Sequence, residues 1–232
     1  MAADDRKTRI VDVSHVVEDG MITYPGLPGP LICDFLSRED SRGRYAEGTE
    51  FHIGRIDMVA NTGTYIDAPF HRFADGADVA GLPLEATVDL DAVVIRATGR
   101  SGRAIGREAF EAVDVNGRAV LVHTGWDVHW GTDRYLDGHP YLTADAATWL
   151  RDHGAALVGI DSLNIDDTSD GARPVHTTLL AAGIPIVEHL RGLERLPDRG
   201  FRFFAAPVKV RGLGSFPVRA FGLVPEAAPH RT

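Results

Sequence analysis

Asn61–His71, which reads NTGTYIDAPFH, is the stretch of this sequence that says most about its fold and chemistry. Its polar side chains are set among Gly, Thr and Pro and form no amphipathic helix, a pattern typical of backbone that shapes a site. Asp67 and His71 stand four residues apart, with Pro69 between them. Whether Pro69 begins a helical turn or the segment is extended, both side chains face the same way. This predicts a pair of side chains that face one cavity, with a helix-capping Asp67 and a surface His71 as the alternative.

Size and composition favour one globular domain over residues 1–232, with 44% hydrophobic and 25% charged residues. The formal net charge of −9 argues against a nucleic-acid partner, because no cluster of Lys and Arg is offered to phosphates. The single Cys33 excludes an intramolecular disulfide and fits the cytoplasm. The first residues, MAADDRKTR, lack the apolar region of a secretory signal, and no run approaches the roughly 18 apolar residues of a membrane span. We therefore expect a cytoplasmic protein without a membrane partner, with a loose tail from Glu226.

Short runs of Val, Ile, Leu and Phe, bounded by Gly, Pro or Asp, dominate the chain and predict strands. These runs are Arg9–Val13, Phe51–Val59, Ala92–Ala97, Ala119–Thr124, Ala156–Ile160, Ile184–Glu188, Phe201–Val210 and Val218–Val224. Helical patterns are fewer: Thr143–His153, with Thr143 as the N-cap, and the shorter Gly106–Val113 and His176–Ala182. No linker or repeat divides the chain, so the sequence predicts a single α/β domain with a mixed β core and few helices.

His176 and Glu188 form a second group of residues that could carry chemistry. His176 begins a short predicted helix, and Glu188 ends the apolar strand that follows it. A carboxylate in that position is paired, bound to metal or turned to solvent. Together with Asp67, the two residues would give a mixed nitrogen and oxygen set suited to one Zn²⁺ or Mn²⁺ ion. The spacing leaves a second interpretation open, in which Glu188 pairs with Arg191.

Two aromatic residues are candidates for the lining of a substrate pocket. Trp126 lies in HTGWDVHWG, just after a predicted strand, where it would line a pocket or pack in the core. Tyr24 precedes Pro25 and Gly26 and could project from a loop as an apolar clamp with a hydroxyl group. Neither GxSxG, a Walker loop nor GxGxxG occurs, so serine-hydrolase and nucleotide-binding sites lack support.

Taken in order, these segments resemble the cyclase family that includes bacterial kynurenine formamidase and isatin hydrolase. The resemblance covers nearly the whole chain, through IVDVS, MITYPG, NTGTYIDAPFH, LVHTGWDVHW, GHPYLT, GIDSLNID, HTTLLAAGIPIVEHL and PVKVRGLGSFPVRAFGLV. It implies a swivelling β/β/α domain, a small-molecule substrate, and assembly into a homodimer or a higher homo-oligomer.

The resemblance also assigns roles to the residues that match the family signature, His-x-Gly-Thr-His-x-Asp-x-Pro-x-His. The Asp of the signature falls on Asp67, and its last His, a general acid/base, falls on His71. Two later metal ligands of the family fall on His176 and Glu188. The aromatic residue that packs on substrate falls on Tyr24.

The signature is broken at its first two histidines, both metal ligands, which are replaced by Asn61 and Tyr65. Asn offers only a carbonyl oxygen, and a tyrosine has to ionise from a pKa of about 10 before it binds a cation well. Three of the five family ligands remain. The resemblance therefore implies at most one bound Zn or Mn ion, and a site without metal is the alternative. Without metal, His71 and Asp67 are left as an acid/base pair, with Tyr65 as a further catalytic group and Asn61 as a substrate-binding one.

Three functions are open at this point. The first is a hydrolase or lyase acting on a cyclic or aryl amide with at most one divalent metal. The second is a metal-independent cyclase, dehydratase or isomerase of small-molecule biosynthesis that uses His71 as its acid/base. The third is a non-catalytic binding protein on the same scaffold, against which the retention of Asp67, His71, His176 and Glu188 argues.

Overall fold

A nine-stranded mixed sheet is the centre of the structure, a computed structural model that describes residues 7–226. The tail expected from Glu226 lies almost entirely outside those residues. Within them the helices are α1 (Arg38–Ser41), α2 (Ala144–Asp152) and α3 (Pro174–Ala181). The strands are β1 (Thr8–Asp12), β2 (Leu31–Leu36), β3 (Ile53–Asp57), β4 (Tyr65–Asp67), β5 (Leu90–Arg96), β6 (Ala104–Ile105), β7 (Ala119–His123), β8 (Tyr141–Leu142), β9 (Leu157–Ile160), β10 (Ile186–Glu188), β11 (Arg199–Phe204), β12 (Ser215–Pro217) and β13 (Phe221–Pro225).

The order of strands across the sheet is β1-β13-β11-β5-β7-β9-β10-β4-β12. Strands β5, β7, β9 and β10 are parallel, and the other neighbours pair antiparallel. At the β10-β4-β12 edge, Ser215 lies opposite Asp67 and Glu188 lies opposite Tyr65. Tyr65 and Asp67 are two residues apart on one strand and therefore project from the same face. This edge gathers polar side chains that are far apart in the sequence.

Alternation along the central strands divides the buried core into two layers. Val93 and Ile95 of β5 pack in one layer with Leu150 of α2 and Leu179 of α3. Val94, between them, packs on the opposite face of the sheet. That second layer joins residues of β1, β4, β5, β7, β9, β10 and β11, so the sheet curls around it. The helix α3, which carries His176, is thus fixed on the outer face.

Most of the predicted strands are confirmed, with boundaries that shift by a few residues. The run predicted as Phe201–Val210 ends at Phe204. Pro207, inside that run, has no N–H group to give to a strand ladder. The three-residue strands β4 and β12 and the strand β2 were not predicted. The mixed α/β class with few helices is confirmed, whereas the assignment of residues 1–232 to one domain stays a prediction.

The two longer helices form where the sequence predicts them. Thr143 caps α2 by accepting a hydrogen bond from the backbone N–H of Ala146 at 3.4 Å. Helix α3 begins at Pro174, two residues earlier than predicted, because proline suits the first helical turn. The prediction of a helix at Gly106–Val113 is wrong: only a 3-10 turn forms at Arg107–Ala109, since helix nucleation is costly in so short a segment. In the described part of the chain, no helix has the length and apolar character needed to cross a membrane.

Strands β2 and β3 form a separate antiparallel hairpin outside the main sheet. Nearly all of its residues are exposed to solvent. Its exposed side chains include several large apolar ones: Leu31, Ile32, Phe35, Ile53 and Ile56. Exposed apolar surface of this kind on a sheet with free edges is typical of a contact region.

Candidate active site

All of the predicted site residues except Trp126 meet at one pocket of about 450 Å³, called the site pocket below. The predicted residues that line it are Tyr24, Asn61, Tyr65, His71, His176 and Glu188. Asp67 is completely buried beside them, with one carboxylate oxygen near His71 and the other near His176. The pocket therefore lies at the β10-β4-β12 edge of the sheet and at the start of α3.

Asp67 and His71 face the same way, as their spacing predicts. Strand β4 ends at Asp67, and a 3-10 turn that begins at Pro69 brings His71 back over it. Nδ1 of His71 lies 3.7 Å from Oδ1 of Asp67. The hydroxyl group of Ser215 lies between them, donating to Asp67 and accepting from Nδ1 of His71 at 2.9 Å. The proton of the neutral ring is therefore on Nδ1, which leaves the lone pair on Nε2.

His176 is oriented by Asp166, a residue that the sequence did not single out. The carboxylate of Asp166 accepts hydrogen bonds from the backbone N–H and from Nδ1 of His176, at 3.0 and 2.6 Å. Nε2 of His176 lies 3.6 Å from Oδ2 of Asp67 and 3.6 Å from Oε1 of Glu188. Burial disfavours the charged ring, but the neighbouring carboxylates outweigh this effect and raise the pKa of His176 to about 10. The imidazolium thus sits as a cation between two carboxylates.

Glu188 is held by a buried hydrogen-bond network. Its carboxylate accepts from the hydroxyl of Tyr65 at 2.5 Å, from the backbone N–H of Ile165 at 2.7 Å and from the amide of Asn164 at 3.4 Å. Burial raises the pKa of Glu188 to about 7, although the charge of His176 opposes this shift. Burial and the charge of Glu188 also raise the pKa of Tyr65 well above its ordinary value. Tyr65 therefore stays a phenol that donates a hydrogen bond, and it offers no phenolate to a metal ion.

The donor atoms in the pocket fit one divalent ion. Asp67, His71 and His176 each offer one ligand atom, and these atoms all lie within 4.8 Å of one another. Oδ2 of Asp67 is buried and accepts no hydrogen bond within residues 7–226; the ring of His176, at 3.6 Å, is beyond hydrogen-bond distance, so this oxygen remains open to a bound cation. The set expected from the sequence was Asp67, His176 and Glu188. The cluster in the structure contains Asp67 and His176 with His71 as its third member, and Glu188, whose two oxygens accept hydrogen bonds, stays a predicted ligand.

The structure places two further residues of the sequence-based interpretations away from the site pocket. Trp126 is not among the described residues that line the site pocket; its indole N–H donates to the backbone oxygen of Tyr135 at 3.1 Å. The guanidinium group of Arg134 lies 4.8 Å from the centre of the Trp126 ring, so this residue packs in its own loop. The alternative partner of Glu188, Arg191, is exposed and lines a different cavity.

Sequence reasoning missed several residues of the pocket and its surroundings, Arg72 among them. Asn164 and Arg173 line the pocket, whereas Asp166 and Ser215 hold its histidines. A signal for two of them was present in DSLNIDD, a polar loop that directly follows the buried strand β9, because sites often form beyond the carboxyl ends of parallel strands. Ser215 gave no local signal, since only the pairing of β12 with β4 brings it to Asp67.

Comparison with known proteins agrees with this fold and site. The Cyclase family model matches residues 11–167 of the chain. A kynurenine formamidase of Bacillus cereus is 28% identical over 211 residues, which cover 90% of this chain and 95% of the relative. Among solved structures, a potential metal-dependent hydrolase with cyclase activity is 28% identical, with a TM-score of 0.78 and coverage of 95% of this chain and 100% of the other. Isatin hydrolase A of Labrenzia aggregata, bound to benzyl benzoate, is 25% identical, with a TM-score of 0.80 and coverage of 94% of each chain.

A curled mixed sheet with a pocket of histidines and carboxylates at its edge is the arrangement of an enzyme. The chain belongs to the Cyclase family. Its relatives include proteins named as hydrolases, and the predicted family membership is confirmed.

Proposed function

We propose that this protein hydrolyses an amide bond of an aryl or cyclic small molecule in the site pocket. The observation that carries the proposal is the convergence of Asp67, His71 and His176 on one pocket in a chain of the Cyclase family. Similarity to a kynurenine formamidase and to an isatin hydrolase supports this class of reaction. The pocket volume of about 450 Å³ lies within the range of small-molecule sites.

The principal proton-transfer group in this proposal is His71. Its ring is exposed in the pocket while Ser215 holds Nδ1, so Nε2 is free to take a proton from water and to return it to the leaving nitrogen. Asn61 donates to the oxygen of Ser215 at 3.2 Å and steadies this relay. Tyr24 supplies an aromatic wall for the substrate. Tyr65 contributes by fixing Glu188 in the floor of the pocket.

One Zn²⁺ or Mn²⁺ ion, held by Asp67 and His176 with His71 as the third member, would supply a water of lowered pKa and polarise the amide carbonyl. Asp166 would orient His176 from behind, as outer carboxylates do for metal-binding histidines. His71 cannot serve both as ligand and as proton carrier through the same nitrogen. In metal-free protein His71 can act only as a proton carrier, so removal of the metal distinguishes this role from that of a metal ligand.

One observation favours a second, metal-independent candidate. His176 already places a positive charge 3.6 Å from an oxygen of Asp67 and 3.6 Å from one of Glu188. This imidazolium takes the place that a metal cation would fill and leaves His71 as the acid/base. A cyclase, dehydratase or isomerase reaction would need nothing more from the chain than proton transfer and a shaped pocket.

Metal analysis combined with an activity assay tests these candidates. Protein purified without chelator is analysed for bound metals and assayed with isatin and with formanilide, a simple aryl formamide, before and after treatment with chelator. Hydrolysis that is lost with the metal and restored by Zn²⁺ or Mn²⁺ supports the first proposal. Hydrolysis that survives in metal-free protein supports acid/base catalysis without metal. Binding of these amides without any turnover would contradict the first proposal.

We further propose that the β2–β3 hairpin joins copies of this chain into a homodimer or a higher homo-oligomer in the cytoplasm. Its exposed apolar side chains support this, with Phe35 72% and Leu31 55% exposed. Sedimentation of the wild type and of Phe35→Asp tests it, with Val128→Asp as the control, because Val128 is 76% exposed outside the hairpin. A smaller species with Phe35→Asp alone supports the proposal. A monomeric wild type contradicts it.

A further inference from the structure

A guanidinium group without an acidic partner stands in the wall of the site pocket. Arg173 lines the pocket and is half-buried. Its three polar contacts are long: 3.4 Å to Oδ1 of Asn164, 3.5 Å to the backbone oxygen of Asp167 and 3.4 Å to the hydroxyl of Tyr24. The carboxylate of Asp167 pairs instead with Arg103 at 3.5 Å. Within residues 7–226, no carboxylate forms an ion pair with Arg173, so its N–H donors remain available to a ligand.

The backbone of Arg173 supports a functional role for its position. Its φ of 48° and ψ of 59° lie in the left-handed region, which is unfavourable for a residue with a Cβ atom. Such strain clusters at ligand clamps and persists where the surroundings fix it. Here the surroundings are the start of α3 at Pro174 and the carboxylate of Asp166, which accepts from the backbone N–H of Val175 at 2.7 Å. The loop thus holds the guanidinium group at the pocket at an energetic cost.

A second guanidinium group, that of Arg72, lies in the same wall. It follows His71 directly and lines the pocket, and its Nε donates to the hydroxyl of Thr177 at 3.3 Å. No ion pair to it is formed within the described ranges. The carboxylates of the pocket, Asp67 and Glu188, lie buried and are already engaged by Ser215, Tyr65 and His176. In a chain of net charge −9, the accessible charge of the pocket wall is therefore positive.

We propose that Arg173, reinforced by Arg72, binds a carboxylate group of the substrate, so that the site selects aryl amides that carry an anionic group beside the amide. A guanidinium fork matches the two oxygens of a carboxylate, and such pairs are stronger than neutral hydrogen bonds. The amide part of this substrate class rests on the proposed function. The carboxylate site itself does not, because it can be measured by binding alone.

The competing explanation is that Arg173 only positions Tyr24 and Asn164. Two measurements distinguish the explanations. Each is made on the wild type and on the variants Arg173→Gln, Arg173→Lys and Arg72→Gln. The first is the ratio of kcat/KM for N-formylanthranilate to that for formanilide, two aryl formamides that differ by one carboxylate. The second is the affinity for benzoate compared with benzamide, by calorimetry. Arg107→Gln is the matched control, because it removes the same charge from an exposed site whose only ion pair within residues 7–226 is with Glu111.

We expect the wild type to prefer N-formylanthranilate, mainly through KM, and Arg173→Gln to reduce the ratio by about 10- to 100-fold, the range for a lost charge-assisted hydrogen bond. Arg173→Lys should restore part of it, and Arg107→Gln should leave it unchanged. A ratio that Arg173→Gln and Arg173→Lys both leave intact would overturn the inference, and so would equal binding of benzoate and benzamide by the wild type. If neither the formamides nor isatin are hydrolysed, the proposed function fails, and the benzoate measurement alone decides on the carboxylate site.

Discussion

Replacing Tyr65 by Phe tests the buried contact that most distinguishes this chain from the family signature. The hydroxyl of Tyr65 donates to Oε2 of Glu188 at 2.5 Å, and both side chains are almost completely buried. The substitution keeps the aromatic ring, so it creates almost no cavity. It leaves Oε2 of Glu188 with only the 3.4 Å contact to the amide of Asn164.

The expected destabilisation follows from the charge on the acceptor. A hydrogen bond to an ionised group contributes about 1.5–3 kcal/mol, and a buried acceptor left without a partner costs about as much. We therefore expect Tyr65→Phe to lower the free energy of unfolding by roughly 2–3 kcal/mol when Glu188 is ionised. For a chain of this size, that corresponds to roughly 2–4 °C in Tm per kcal/mol.

The pH dependence provides a sharper signature than the magnitude. The pKa of Glu188 is raised to about 7, so the folded state holds this proton more tightly than the unfolded state does. The stability that protonated Glu188 contributes is present at low pH and is lost as pH rises through about 7. Above that pH the carboxylate depends on the hydroxyl of Tyr65. The penalty of Tyr65→Phe should accordingly be larger at pH 8.5 than at pH 5.5, by about 1 kcal/mol or more.

Urea unfolding of chelator-treated protein at both pH values measures this penalty. Tyr45→Phe is the matched control, because Tyr45 is 44% exposed. Tyr45→Phe should stay within about 0.5 kcal/mol of the wild type, as surface substitutions usually do. A penalty for Tyr65→Phe at pH 8.5 no larger than that of the control would refute the assignment of Glu188 as a carboxylate that depends on this hydroxyl group.

Three more predictions concern catalysis and metal. His71→Ala should lower turnover of the true substrate by about 10²-fold or more while the protein stays folded; full turnover would exclude the proton-transfer role. Asn61→His combined with Tyr65→His should raise the affinity for Zn²⁺ or Mn²⁺ in calorimetry, because it adds two imidazole donors; tight binding of two metals by the wild type would contradict this. The pKa of His176 near 10 means that a metal ion must displace its proton, so metal affinity should rise by about tenfold per pH unit from pH 6.5 to 8.5. An affinity independent of pH would show that His176 is not a ligand.

Local patterns in the sequence were sufficient for much of the fold. The buried strands β5, β7 and β9 appear as short apolar runs, because strands covered on both faces carry little polar alternation. Helix α2 was predicted from its N-cap Thr143 and its apolar spacing. The placement of Asp67 and His71 on one side could also be predicted, since it depends only on backbone geometry over four residues.

The rest of the candidate site depends on contacts that no local pattern contains. Ser215 meets Asp67 across 148 positions, and Tyr65 meets Glu188 across 123 positions, both through antiparallel pairing with β4. Strand β4 itself is only three residues long, too short for a period-two signal. Trp126 was assigned to substrate because its loop is rich in aromatic residues, but composition does not show which way a loop folds.

Asn61 and Tyr65, the two residues that break the family signature, each support one of the carboxylates Asp67 and Glu188 through hydrogen bonds. Tyr65 donates directly to Glu188, and Asn61 donates to Ser215, which in turn donates to Asp67. Asn61 and Tyr65, at the positions where the resemblance implies histidines, are thus each a hydrogen-bond donor that acts on one of the two acids. A buried carboxylate oxygen that lost such a donor would cost about 1–3 kcal/mol. Introducing a histidine at position 61 or 65 alone should therefore remove one of these hydrogen bonds while adding only one imidazole donor, because Asn61 and Tyr65 each act on a different acid.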